Sequence, residues 1–363
     1  MLSLAILLDS MRPVVPTLLI LGTAVPYFIL TLGWHTVSLC FPCRWVAFID
    51  DKMYSIYQRV ILFFFENISR VKIVLYGDVK QFLRKPERAI YISNHQCSVD
   101  WAVVDILAIR QGCLGGLRYV LKNTLSYIPL YGWYFYMHGC VYVRRARRFQ
   151  EHLTSKQLRY LCDLDYPFWL VLFPEGTRYN PKKTTAIAKS EEYAIKHGLV
   201  PLTEVLMPRV RGFKLAVDHL RRHVDAVYDV TVIYESSMPG SKRVRRVSPN
   251  MCDFVCGHDI KTLHIKIKRY AITEIPKNAE ELEDWLYRRF LEKDICYSAT
   301  SGIFCSSVEI PTLPASSTFP SLMLLSVALV PLLVTDIGRK VGLAAMTLGS
   351  VGCIAYLKIR NVV

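Results

Sequence analysis

Negative charge is scarce in this sequence: 30 Asp and Glu stand against 45 Lys and Arg over 363 residues, a formal balance of +15. That excess calls for partners of opposite sign, and anionic lipid headgroups, phosphate-bearing small molecules and nucleic acids all qualify. Charge of either sign is missing altogether from Pro13 to Cys43. A bilayer core needs only ~20 helical residues and a cleaved leader only ~7–15 apolar ones. A retained membrane anchor is therefore expected there, spanning once with tilt or bending back near Pro16 and Pro26. The 11 cysteines lack dense, regular spacing, which argues against a disulfide framework and for reduced thiols in a cytosol-facing protein. No Gly-x-Ser-x-Gly elbow and no Gly-Lys phosphate loop occurs, so a serine lipase and a P-loop enzyme fit poorly. Cys252-x3-Cys256-x-His258 falls short of the four closely spaced ligands of a structural zinc site, and no metal is expected.

Hydrophobic residues make up 52% of the chain, too many for disorder and enough for a globular protein with membrane segments. Residues 310–335 carry no charge, Asp336, Arg339 and Lys340 form a polar break, and 341–357 are again uncharged. This reads as a membrane-associated helical hairpin, with a buried helix pair of a soluble core as the alternative. In Met53–Phe65, Tyr54, Tyr57, Ile61, Phe64 and Phe65 recur at helical spacing, the pattern of an amphipathic helix on a membrane or over a sheet. Between the ends, Ala89–Ser93, Val141–Val143, Phe168–Phe173, Ala226–Tyr234 and Leu263–Ile267 read as strands, with helical stretches such as 278–292 among them. The expected fold is α/β: a mixed sheet flanked by helices, with N-terminal and C-terminal hydrophobic helices. The expected organisation is an anchor region at 1–52, an α/β domain at 53–300 and the hairpin at 301–363. Ser236–Ser248, holding Lys242, Arg243, Arg245 and Arg246, reads as an exposed basic loop. Uncharged ends on either side of the basic domain argue against nucleic acid as the partner.

Two segments carry the chemistry. After the strand Ala89–Ser93 comes Asn94-His95-Gln96-Cys97-Ser98-Val99-Asp100. On one straight helix a five-residue step separates side chains by about 140°. With His95 in the turn and Asp100 opening the next helix, the two meet. A neutral imidazole can then take a hydroxyl proton while the carboxylate fixes its tautomer. Alone, this spacing also suits a histidine satisfied within a turn. The second segment is Leu172-Phe173-Pro174-Glu175-Gly176-Thr177-Arg178. Gly176 permits a tight turn at the strand end, Arg178 offers a planar fork to phosphate, and Glu175 can accept hydrogen bonds from a sugar or glycerol hydroxyl.

An Asn-His-x-x-x-x-Asp block followed about 80 residues later by Phe-Pro-Glu-Gly-Thr-Arg resembles the glycerolipid (lysophosphatidic acid) acyltransferase family. The resemblance covers most of the chain and is strongest over 53–235. It makes 53–300 an acyltransferase catalytic domain with His95 and Asp100 as its catalytic pair. It also implies substrate contacts from Glu175, Gly176, Thr177 and Arg178. The family's second block matches Gly139-Cys140-Val141-Tyr142-Val143-Arg144-Arg145, whose basic end is implied to hold the phosphorylated acceptor, and Lys122 matches a lysine used near phosphate. Its fourth block is placed at Val205-Leu206-Met207-Pro208. The resemblance implies acyl-CoA as co-substrate with no further cofactor, lysophosphatidic acid as acceptor and phosphatidic acid as product.

The implied mechanism is direct: His95 deprotonates the acceptor hydroxyl, and the alkoxide attacks the thioester. Cys97 stands where close relatives often have serine or threonine. A Cys–His acyl-enzyme is one reading and a neutral filler the other, with the filler favoured. The competing functions are acylation of other lysophospholipids and non-catalytic lipid binding on the same fold. The expected location is the endoplasmic reticulum membrane with several passes, the mitochondrial membrane or nuclear envelope being the alternatives.

Overall fold

A computed structural model of the chain describes residues 13–144, 151–237, 246–256, 262–298, 307–360 and 362. Its strands are β1 (Lys72–Gly77), β2 (Ala89–Ser93), β3 (Leu117–Lys122), β4 (Val141–Val143), β5 (Trp169–Leu172), β6 (Ala226–Tyr234), β7 (Thr262–Ala271) and β8 (Val308–Ile310). The chain divides into two compact units. One comprises Met1–Ile68, Leu114–Tyr166 and Leu313–Val363, the other Ser69–Cys113 and Pro167–Thr312. Residues 53–68 and 114–166 thus group with the terminal hydrophobic helices rather than with the rest of the 53–300 segment.

In the second unit the strands run in the order β5-β2-β6-β7-β1-β8. β2 pairs in parallel with both β5 and β6, β7 pairs in parallel with β1, and the β6–β7 and β1–β8 pairs are antiparallel. The sheet is mixed, as the sequence pattern predicts. Every residue of β2, β5 and β6 is buried, which explains why these strands read as continuous apolar runs rather than alternating ones. Beneath them Tyr91 stacks on Trp169 at 5.8 Å, Tyr228 meets the same indole edge-on and Phe82 lies tilted against it. Fully buried aromatics of this size each contribute on the order of 2–3 kcal/mol. Helices Asp100–Gln111, Val210–Leu220 and Ala279–Ser298 flank this sheet.

The first unit is built on helices. Val14–Val37 runs as one helix through Pro26, so the uncharged N-terminal stretch does not bend back on itself. Cys43–Leu62 follows, and a π-helical turn at Phe63–Ile68 ends the aromatic stripe. Tyr57 stacks on Tyr27 with centroids 4.6 Å apart and donates its hydroxyl to the Ile20 carbonyl at 3.0 Å. The helix Ala315–Val334 packs on both, tied by Asn67, which donates to the Leu313 carbonyl and accepts from Thr318, each at 2.7 Å. The polar break is real: the Thr335 hydroxyl accepts from the Gly338 amide at 2.9 Å and starts a new helix at Asp336. Among the described residues, three helical stretches, Val14–Cys40, Ala315–Val334 and Asp336–Ile359, are long and apolar enough to cross a membrane. In the same unit β3 and β4 form a parallel pair that sets Lys122 opposite Val143.

Candidate active site

His95 sits where β2 leaves the sheet. The departure is managed by Asn94, whose carboxamide imitates a peptide group: it donates to the Val232 carbonyl at 2.9 Å and accepts from the Val232 amide at 2.8 Å. The ladder with β6 therefore continues one residue after the backbone has turned away. The next residues form a tight turn closed by Asp100, the first residue of its helix, where the helix dipole favours a carboxylate.

Asp100 gathers the turn around itself. Its Oδ2 accepts from His95 Nδ1 at 2.8 Å and from the amides of Gln96 at 2.7 Å and Cys97 at 3.0 Å. Its Oδ1 accepts from the Tyr234 hydroxyl at 2.7 Å. The carboxylate is 1% exposed while the imidazole is 24% exposed. A carboxylate can only accept, so Nδ1 donates in this bond and Nε2 is the ring nitrogen left for a substrate. The predicted meeting of His95 and Asp100 across five residues is what the structure contains.

The loop after β5 holds the other side of His95. Gly176 adopts φ +68°, a left-handed conformation that strains any other residue, and so turns the chain sharply after Glu175. Glu175, 2% exposed, points inward: Oε1 accepts from the His95 amide at 2.7 Å and Oε2 from the Leu206 amide at 3.1 Å. The Tyr179 amide donates to the His95 carbonyl at 2.7 Å, and the Phe173 ring lies 4.5 Å from the imidazole. The histidine is thus gripped at both backbone polar groups and on one ring face. Thr177 and Arg178 are exposed beside it.

Sequence reasoning missed three contributors. Tyr234, at the end of β6, is hidden in an apolar run, and burial together with the Asp100 charge pushes its hydroxyl well above the usual tyrosine range. Asn94 was visible only as a neighbour of His95. Arg209 is exposed, its amide bonds the Pro174 carbonyl, and its side chain runs past Gly176, adding a second cation beside Arg178.

Lys122 and Arg144 lie in the other compact unit, Lys122 closing β3 opposite Val143 and Arg144 following β4 by one residue. Lys122 is exposed, and Arg144 Nε is buried with no hydrogen-bond partner among the described residues. Arg145 falls outside the described residues, as does His258.

Cys97 is buried, its thiol donating to the Pro249 carbonyl at 2.6 Å. Burial and the neighbouring Asp100 charge push it up to about 12. A thiol held protonated is no nucleophile, which supports the filler reading.

Metal-capable side chains converge at one place among the described residues, where ligand atoms of Asp50, Asp51 and His138 lie within 4.8 Å of one another. Arg118 supplies the positive charge there, donating to Asp51 at 2.5 Å and to His138 Nε2 at 2.8 Å. His138 Nδ1 donates to Asp50 at 2.5 Å and His35 bonds its other oxygen at 3.2 Å. Burial and the Arg118 charge push His138 down. Burial alone would raise Asp50, but the two histidines outweigh it and hold its carboxyl well below the usual range. With a guanidinium inside the cluster, these residues do not suit a metal ion.

Comparison with known proteins agrees with this geometry. The Acyltransferase family model matches residues 77–235 and the Acyltransferase C-terminus model residues 253–300. Mouse 1-acyl-sn-glycerol-3-phosphate acyltransferase epsilon is 37% identical over 98% of this chain and 99% of its own length. The probable 1-acyl-sn-glycerol-3-phosphate acyltransferase 5 of Arabidopsis thaliana is 30% identical over 79% of this chain and 73% of its own. Mouse lysocardiolipin acyltransferase 1 is 27% identical over 77% and 68% respectively. Among solved structures, the 1-acyl-sn-glycerophosphate acyltransferase of Thermotoga maritima matches with TM-score 0.44 and 18% identity, covering 79% of this chain and 98% of that one. With a near-complete alignment to a curated relative and both blocks in place, the chain belongs to the 1-acyl-sn-glycerol-3-phosphate acyltransferase family of glycerolipid acyltransferases.

Proposed function

We propose that the protein transfers an acyl chain from acyl-CoA to the sn-2 hydroxyl of 1-acylglycerol-3-phosphate, giving phosphatidic acid. The single observation that carries this reading is the His95–Asp100 pair, with a buried carboxylate on Nδ1 and an accessible opposite ring edge. His95 Nε2 takes the hydroxyl proton, and the oxygen attacks the thioester carbonyl. The carbon–sulfur bond breaks, and coenzyme A departs as a thiolate that is protonated in turn by the imidazolium. Asp100 stabilises that imidazolium and keeps the ring in one tautomer. Arg178 and Arg209, on the segments around Gly176, are the cations for a substrate phosphate, and Lys122 and Arg144 are two further cations at the ends of β3 and β4 in the other unit. No step requires a metal or a further cofactor.

The apolar helices support a site at a membrane surface, where both acyl-bearing substrates are concentrated and positioned. The endoplasmic reticulum is the proposed membrane because the acceptor is made and consumed there, with the mitochondrial membrane as the alternative. A wider acceptor range has one observation behind it, the similarity to a lysocardiolipin acyltransferase. The test is a purified-protein assay with labelled oleoyl-CoA and a panel of lysophospholipids. Lysophosphatidic acid should be the preferred acceptor. His95→Ala should lose about 10³-fold or more, and Asp100→Asn about 10²–10⁴-fold, the range for a general base and its orienting carboxylate. A folded His95→Ala protein acylating at the parent rate overturns the mechanism.

A further inference from the structure

We propose that Ser248 is a phosphorylation site that switches acyl transfer off, an inference resting on the acyl-transfer reading above. Residues 246–252, which begin within the basic loop, form a strap laid across the turn that carries His95. The Arg246 amide bonds the Ser237 carbonyl at 3.1 Å at one end, and the Asn250 side chain accepts from the Cys252 amide at 2.7 Å at the other. Between these anchors, Ser248 Oγ donates to Gln96 Oε1 at 3.1 Å and the Pro249 carbonyl accepts from Cys97 Sγ at 2.6 Å. Gln96 is buried, donates its Nε2 to the Val232 carbonyl at 2.7 Å, and gives its backbone amide to Asp100. A single side chain thus separates Ser248 from the carboxylate that orients His95.

The sequence around this serine has a second property. Lys242, Arg243, Arg245 and Arg246 precede it, placing arginines two and three residues upstream, with Pro249 immediately after. Arginines at those positions fit a protein kinase whose peptide cleft is acidic. Lys242, Arg243 and Arg245 lie outside the described residues. Ser248 is half-buried on a segment of irregular backbone, and its own hydroxyl is held by one side-chain hydrogen bond, to Gln96.

The chemistry is an ordinary phosphoryl transfer. Ser248 Oγ attacks the γ-phosphorus of ATP, the bond to the bridging oxygen breaks, ADP leaves, and the hydroxyl proton passes to the kinase's base. The modified oxygen has lost its donor proton and bears a phosphate of charge about −1.5 to −2. It then faces Gln96 Oε1, an acceptor. Rotating the carboxamide to offer its NH₂ breaks the bond to Val232, so the strap no longer seats. The Cys97–Pro249 contact goes with it, and the turn holding Asp100 loses its cover.

The test uses the full-length protein in lipid nanodiscs, treated with ATP and the catalytic subunit of cAMP-dependent protein kinase. Mass spectrometry should find phosphate on Ser248, and kcat should fall at least tenfold while KM for acyl-CoA stays within twofold. Phosphatase treatment should restore the rate. Ser248→Ala, compared with its own untreated sample, should neither take up phosphate nor lose activity on treatment, whereas Ser248→Thr should do both. An activity-independent readout is tryptic cleavage after Arg246, which should quicken several-fold once the strap is released. Phosphate on Ser248 with kcat and cleavage unchanged overturns the proposal, as does a folded protein whose Ser248 takes up no phosphate. An untreated protein that acylates no lysophospholipid refutes the reaction instead, and the cleavage rate still decides the strap.

Discussion

The backbone amide of His95 donates to Glu175 Oε1 at 2.7 Å, while the same carboxylate accepts from Leu206 through Oε2. The glutamate of the Pro-Glu-Gly turn is thereby a clamp on the histidine's peptide, joining β2, β5 and the 205–208 segment at one point. Glu175→Gln replaces one acceptor by a donor facing a buried amide. That should cost about 1–3 kcal/mol of stability and lower kcat about tenfold or more, with KM little changed. Thermal unfolding and steady-state kinetics on the same preparation check both.

Cys97 should be inert. Its thiol, pushed up to about 12, stays protonated below that value, so iodoacetamide at pH 7–9 should leave activity intact. Cys97→Ser keeps a donor for the Pro249 carbonyl and should retain most activity, whereas Cys97→Val deletes it and should lose several-fold. Inactivation by the alkylating agent, with the label mapped to Cys97, contradicts the filler reading.

Arg178 and Arg209 should act on substrate affinity. Each is exposed, so removing one charge-assisted hydrogen bond to phosphate is worth about 1.5 kcal/mol, or roughly a tenfold rise in KM for the lysophospholipid. The double alanine variant should lose less than the product of the single effects, because both cations serve one anion. Kinetics with an acceptor lacking phosphate should show no difference among the three variants.

Asp50 makes stability depend on pH. Its folded-state pKa is depressed, so its contribution is present above the unfolded value of about 3.9 and lost as pH falls towards the lower folded value. Asp50→Asn should destabilise by about 3–5 kcal/mol near neutrality, the cost of breaking a buried pair. The gap in unfolding midpoint between parent and variant should narrow as pH falls below about 4. Thermal scans in detergent from pH 3 to 8 measure it; a gap that widens in acid contradicts the assignment.

Much of this fold is legible in the residues themselves. β2, β4 and β6 have the bounds their apolar runs predict, because buried parallel strands need no alternation. β3 is not legible: its second residue is Arg118, wholly buried and paired with an aspartate 67 positions away. No local pattern announces a partner that distant. The same contrast divides the site. His95 and Asp100 lie five residues apart and can be read as a pair. The clamp role of Glu175 rests on backbone amides 80 and 31 residues away, and amides leave no signature in a sequence.

The Asp50–Asp51–Arg118–His138 cluster bears on how the polypeptide is made. Asp51 leaves the ribosome 67 residues before its arginine, which at about 5–20 residues per second is a delay of roughly 3–13 s. For that interval Asp51 lacks the guanidinium that pairs with it in the folded protein, and Arg44 and Lys52 on its own helix are the nearest basic residues already made. A buried carboxylate without its partner is costly, so the synthesis of β3 is the event that lets the segment around Asp51 pack as it does in the folded protein.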